Sequence, residues 1–124
     1  MNRTLITIPL NATLLEIIDT LIGNHISAVI VTAQNGEFMG VISKTDIISA
    51  LKKYGASILE KTAEDLLNPK PYTIEGSATI VEAAREMITK KVHRLLVVSP
   101  SAIGKYMPVG IVTATDILKK LSLV

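Results

Sequence analysis

Two short segments carry residue types that could do chemistry at a fixed spacing. They are Gly40-Val-Ile-Ser43-Lys-Thr45-Asp46-Ile47 and Gly110-Ile-Val-Thr113-Ala-Thr115-Asp116-Ile117. In each, an apolar run meets a hydroxyl residue with an aspartate three places on, which reads as a strand ending where a helix begins. One reading is a capping box: Ser43 or Thr113 accepts from the N3 amide, and Asp46 or Asp116 reaches back to the N-cap amide. A second reading adds a ligand. Free amides and hydroxyls at a helix start suit an anionic or polar group. A carboxylate there can accept both hydroxyls of a ribose diol while the hydroxyls and amides face a phosphate. One side chain can cap and bind at once. Gly40 and Gly110 would let a ligand approach the strand backbone, or they simply kink the strand.

Other chemistries find little support. The chain has two histidines and no cysteine, so disulfides, thiolate metal sites and cysteine nucleophiles are excluded. Any metal or acid–base constellation would have to be built from carboxylates, and neither a phosphate-binding Walker loop nor a nucleophile elbow is present. No catalytic role is therefore expected. Thirteen basic residues against eleven acidic give a net charge of +2, without blocks of one sign, and there are only four aromatic residues. Nucleic acid is an unfavoured partner on both grounds. Aliphatic runs such as that from Ala28 to Val31 are far too short to span a bilayer, and the first residues lack a signal peptide's apolar core. The expectation is a soluble, cytoplasmic chain that does not engage a membrane. Met39, Met87 and Met107 read as packing residues, the lysine pairs as solvated faces, and His25 as a surface residue at a helix end.

The elements that position the two segments come from a duplication. Sliding the sequence by 66 places sets Thr7-Ile8 on Thr73-Ile74, Ala12-Thr13 on Ala78-Thr79, Glu16 on Glu82 and Val31 on Val97. The shift then becomes 70, and Gly40, Thr45-Asp46-Ile47 and Leu51 fall on Gly110, Thr115-Asp116-Ile117 and Leu121. Each copy opens with a short extended piece, residues 5–8 or 72–74. A helix follows, signalled by Thr13-x-x-Glu16 or Thr79-x-x-Glu82 as a capping box. Leu14, Leu15, Ile17, Ile18, Leu21 and Ile22 define one apolar stripe on the first of these helices, and Ile80, Val81, Ala83, Ala84, Met87 and Ile88 its counterpart. Strands follow at 26–32 and 38–43, turned by Asn35-Gly36, and at 92–99 and 109–113, joined by a loop holding Pro100, Gly104 and Pro108. A second helix closes each copy, at 44–53 and 114–121, its terminal lysines complementing the helix dipole.

The predicted class is α+β, with two β-α-β-β-α motifs at 3–54 and 66–124 and a connector at 55–65. Fifty to sixty residues with three short strands leave one apolar sheet face bare. Two copies are therefore expected to pack around a pseudo-twofold axis that creates two equivalent crevices.

The ordered motifs, together with Thr-Leu-Leu-Glu-Ile, Thr-Ile-Val-Glu-Ala-Ala and Val-His-Arg-Leu-Leu-Val-Val, resemble a tandem pair of cystathionine-β-synthase (CBS) domains, a Bateman module. The resemblance covers residues 3 to 123. It implies a regulatory module that binds adenosine-containing ligands in clefts between the copies. An adenine nucleotide (AMP, ADP or ATP) would be a regulatory ligand rather than a catalytic cofactor, with S-adenosylmethionine as the alternative. By the same resemblance, Ser43 with Asp46 and Thr113 with Asp116 match the ribose- and phosphate-contacting pair, and Thr45 and Thr115 lie beside them. Thr7 with Ala12, and Thr73 with Ala78, match the segment lining the purine pocket, while Ile30 and Leu96 match strand positions near the base. His93-Arg94 resembles a phosphate-contacting pair, which read alone is a solvated His and Arg on a strand face. Ser27-Ala28 replaces it in the first copy and offers no cation, so the two clefts are expected to differ. The resemblance also implies a homodimer formed through helices and an unidentified regulated protein. Its rival is a structural homo-oligomerisation module with vestigial clefts.

Overall fold

Reciprocal caps, aliphatic strands and one long-range backbone pairing organise the chain. The computed structural model describes residues 6–100 and 106–123. In chain order these form β1 (Thr7–Pro9), α1 (Leu14–Gly23), β2 (Ala28–Thr32), β3 (Phe38–Ser43) and α2 (Lys44–Tyr54). A 3-10 helix (Gly55–Glu60) and the single turn α3 (Ala63–Leu66) follow, then β4 (Thr73–Glu75), α4 (Ile80–Lys90), β5 (Arg94–Pro100), β6 (Tyr106–Thr113) and α5 (Ala114–Leu121). The architecture is the expected mixture of helix and strand, with two three-stranded sheets ordered β1-β2-β3 and β4-β5-β6. In each, the first pair is parallel, bridged by the crossover helix, and the second is an antiparallel hairpin. The described residues divide into two compact units, 6–70 in one and 71–100 with 106–123 in the other.

In the first unit, Ile8, Val29, Val31 and Ile42 point to the helix side and pack with Leu14, Ile17 and Leu21 of α1. In the second, Ile74, Leu95, Val97 and Val112 pack with Ala83 and Met87 of α4. The alternate strand positions, Ile30 and Val41, and Leu96 and Val98, are buried too, but lie outside those clusters. Strands apolar on both faces account for the near-continuous aliphatic runs in the sequence.

Three of the four helix-start signals read from the sequence form complete boxes, at Thr13–Glu16, Ser43–Asp46 and Thr113–Asp116. At Thr79 only the forward bond forms: the Glu82 amide donates to Thr79 Oγ1 at 3.1 Å, while the hydroxyl itself donates to Glu82 Oε1 at 3.2 Å. A further box, absent from the sequence reading, starts α3 at Thr62–Asp65. Its backbone bond from Thr62, helped by the Thr62 hydroxyl and by Lys61, holds the Asp65 carboxyl below its ordinary pKa.

Several expectations change. Only part of each first-helix stripe enters the core: Leu14, Ile17 and Leu21, and Ala83 and Met87, are buried, whereas Leu15 and Ile22, and likewise Val81 and Ile88, face outward. Pro108 lies inside β6 rather than in a loop, paired with Val98 where the register shifts. A proline is tolerated there because β6 is an edge strand and the pairing is already irregular. Met107 is exposed rather than packed. The β2–β3 turn places only Gly36 at positive φ, 84°, after a turn closed by Gly36 N–H to Ala33 O at 2.9 Å. That is a three-residue loop with a left-handed glycine rather than a two-residue turn.

Gly40 also has a different purpose from ligand approach. The outer edge of β3 pairs with Asn68: the Val41 amide donates to Asn68 O at 2.9 Å and the Asn68 amide to Val41 O at 2.8 Å. A Cβ on Gly40 would meet Asn68 O at 2.6 Å and Leu67 Cδ1 at 2.8 Å. Residues 55–70 are thus anchored to the first unit, and Ala63 N–H to Ala12 O and Glu64 N–H to Leu10 O, both 2.9 Å, extend the anchorage. Gly40→Ala is expected to destabilise the protein by about 1–3 kcal/mol in urea unfolding, because backbone must move. Gly23→Ala, a helical position with nothing within 4 Å, should instead stabilise it by about 0.5 kcal/mol. Equal stability of both variants would refute the close approach of residue 68.

Candidate functional site

The strand-to-helix junctions are built by local bonds whose geometry is nearly the same in both copies. At the first, the Ser43 amide and hydroxyl each donate to Asp46 Oδ2 at 2.8 Å, and the Asp46 amide returns a bond to Ser43 Oγ at 3.1 Å. At the second, the Thr113 amide donates to Asp116 Oδ2 at 2.9 Å and the Asp116 amide to Thr113 Oγ1 at 3.1 Å. Both boxes engage Oδ2, and among the described residues no donor takes Oδ1 of either carboxylate. The first amides of the helices are also committed: Lys44 donates to Ser27 O at 3.0 Å and Ala114 to His93 O at 2.8 Å. The Thr45 and Thr115 amides, one place further on, have no acceptor within their own helices, and both side chains are exposed. Each junction therefore offers an amide, a hydroxyl and a carboxylate oxygen within one helical turn.

The register decides what stands beside each junction. Arg94 is directly opposite Thr113 across the β5–β6 pair, and Ala28 holds the same place opposite Ser43. Directly opposed residues have Cβ atoms about 4.5–5.5 Å apart, on one face of the sheet. Two places along β5 and on that same face is Leu96, which pairs with Thr73. In the first unit the corresponding pair is Ile30 with Thr7. Thr73, Leu96, Arg94 and Thr113 thus share the sheet face turned away from the helices, as do Thr7, Ile30 and Ser43. Leu96 and Ile30 are buried, Thr7 and Thr73 exposed, and Ser43 is 3% exposed.

Other predicted positions lie apart from that face. Ala12 packs in the first core cluster and Ala78 against the second. Their amides close turns onto Pro9 O and Glu75 O. His93 is exposed just before β5 and contributes its carbonyl to the start of α5. The Arg94 residue is partly buried, and its Nε is buried with no hydrogen-bond partner among the described residues. A buried donor without an acceptor is costly, more so on a cation.

An open groove of about 280 Å³ runs along α5 from Asp116 to Leu123, past Val112, Ile117, Lys119 and Lys120. It shares only Asp116 with the predicted residues. Among the described residues no group of three or more His, Asp or Glu side chains could hold a metal ion. Nor is any described helix long and apolar enough to cross a membrane.

Comparison with known proteins agrees with this architecture. The family model of the CBS domain matches residues 1–53 and 63–123. A probable arabinose 5-phosphate isomerase of Haemophilus influenzae is 38% identical over 66 residues, 53% of this chain and 20% of that protein. An uncharacterized protein of Methanopyrus kandleri is 29% identical over 117 residues, 94% of this chain and 58% of its own length. The chain therefore spans only part of both relatives. Among solved structures, the CBS domain protein of Pyrobaculum aerophilum complexed with AMP superposes with a TM-score of 0.75 at 23% identity, covering 100% of this chain and 95% of that one. The CBS domain pair of protein MJ0100, in complex with 5′-methylthioadenosine and S-adenosyl-L-methionine, gives 0.78 at 24% identity, covering 97% and 93%. With both copies matched in order and the fold shared, the chain belongs to the CBS-domain family and carries two such domains in tandem.

Proposed function

We propose that this chain is a ligand-sensing regulatory module that binds an adenine nucleotide, AMP, ADP or ATP, at the β6–α5 junction of its second CBS domain. The observation that carries the reading is Arg94. It stands opposite Thr113, and its buried Nε lacks an acceptor among the described residues. A phosphate oxygen would supply that acceptor, and the planar guanidinium fork suits it. The exposed hydroxyl and the helix-start amide of Thr115 add donors for the same anion. Asp116 Oδ1, not engaged by the cap, would accept from the ribose diol, and Leu96 and Thr73 on the same sheet face would border the base. The AMP complex of the Pyrobaculum aerophilum protein supports this class of ligand. The S-adenosyl-L-methionine complex of MJ0100 keeps adenosyl thioethers as the second ligand class to test.

The first CBS domain offers the same carboxylate and hydroxyls at Asp46, Ser43 and Thr45, with Ala28 where the second has Arg94. It should therefore hold a phosphate more weakly. Signalling requires that binding favour one state which a regulated protein distinguishes.

Three outcomes are expected. A nucleotide at one hundred times its Kd should add about 2.7 kcal/mol of apparent stability. A thermal-shift series of AMP, ADP, ATP, S-adenosylmethionine and NADH should therefore show a rise with the nucleotides, and no rise with any adenosine compound at millimolar concentration would sink the reading. Asp116→Asn keeps a cap acceptor, so calorimetry should show about a tenfold loss of nucleotide affinity with stability changed by less than about 1 kcal/mol. Unchanged affinity would refute the ribose contact. Arg94→Ala should weaken AMP and ATP about tenfold or more while sparing adenosine. An equal loss for all three would show that Arg94 does not hold phosphate.

A further inference from the structure

The groove along α5 lies at a place that the first unit fills with its own chain. After α2 the chain turns into the 3-10 helix (Gly55–Glu60), which packs on both α2 and α1. Its Ile58 is 4% exposed and shares a core cluster with Leu14, Ile42 and Ala50. Ala63 and Leu66 of α3 join the same cluster. In the second unit the residues at the repeat places of Leu14, Ile42 and Ala50 are Ile80, Val112 and Lys120, and all three line the open groove, together with Ile117 and Leu123. Among the described residues its core cluster holds no counterpart of Ile58, Ala63 or Leu66. No residue of α5 is buried, and Leu123 at the groove's end is 83% exposed. The rim also differs in charge: Lys119 and Lys120 stand where the first unit has Ser49 and Ala50.

We propose that this groove receives a short helical segment of a partner protein, one with an aliphatic anchor and acidic flanks. The first unit defines the occupant. There, residues 55–67 present Ile58 to the core and carry Glu60, Glu64 and Asp65 against a single lysine, Lys61. A segment of that kind seats its anchor among Ile80, Ile117 and Leu123, with its carboxylates facing Lys119 and Lys120. Apolar burial supplies the attraction, and the paired lysines select acidic flanks. The segment comes from another protein rather than from this chain. Residues 55–67 are tied to the first unit by the bonds of Ala63 to Ala12 and of Glu64 to Leu10. Residues 1–5 and 101–105 carry Arg3 and Lys105 and no acidic residue. The groove meets the proposed nucleotide site only at Asp116, and the docking does not depend on that site.

An NMR titration of the isotope-labelled full chain with a synthetic peptide of residues 55–67 tests the docking. Saturable shifts should centre on amides at the start of α4 and in the last turn of α5. Leu123→Asp, at an exposed position, should weaken binding about tenfold or more with the urea midpoint unchanged, and Ile58→Asp in the peptide should do the same. Lys119→Glu combined with Lys120→Glu should weaken it about fivefold at low salt. Exchanging Glu60, Glu64 and Asp65 of the peptide for lysine should then restore it. No shift at about 1 mM peptide, shifts confined to residues 6–70, or affinity indifferent to the Leu123 and lysine changes would each overturn the proposal. Sedimentation checks the rival occupant. A dimer that Leu123→Asp converts to monomer would show a second copy already covering the groove, and would overturn the proposal as well.

Discussion

The reciprocal bond between the last residue of an edge strand and the third residue of the following helix is the constraint on which this protein depends. At Ser43–Asp46 and Thr113–Asp116, two side chains satisfy donors that a helix start leaves open. They also fix where the strand stops and how the helix leaves it. Because the hydroxyl residue is still in the strand register, whatever stands across the ladder is brought beside the helix start. That single geometric fact converts a local cap into a candidate binding junction in both copies.

Duplication then allows the two junctions to diverge without altering the fold. The caps are retained at both ends, since losing one would cost on the order of 1 kcal/mol in either domain. The residue across the ladder is under no such demand, and it is Ala28 in one copy and Arg94 in the other. The outward helix faces diverge in the same way. Leu15, Ile18 and Ile22 keep their apolar character in Val81, Ala84 and Ile88, while the charge between them passes from Asp19 to Arg85. Positions that close the caps repeat, whereas the residue across the ladder and the charge on the outward helix face differ.

Much of this was legible in advance because it is local or periodic. The caps are three-residue relations, the strands are short aliphatic runs, and the copies align with each other, so the order of the main elements, both junctions and the family resemblance follow from the chain alone. The discrepancies have a common origin in distance along the chain. Gly40 looked like room for a ligand because nothing in its neighbourhood announces Asn68, whose backbone fills that room and pairs with Val41. The stripe of α1 looked like core throughout, since a helical period reports a face but not where burial along that face ends. Pro108 looked like loop because a proline argues against a strand until an irregular edge pairing makes its missing amide harmless.

The sequence by itself determined the helix starts and the aliphatic strands, because each rests on side chains a few residues apart, and the repeat with its change of offset, because the two copies can be compared directly. Only the tertiary structure decided that Arg94 faces Thr113, that Asn68 closes the edge of β3, and that Leu15 and Ile22 remain outside. Those three facts depend on strand register and on which surfaces are covered, and both are set by the packing of segments distant in sequence.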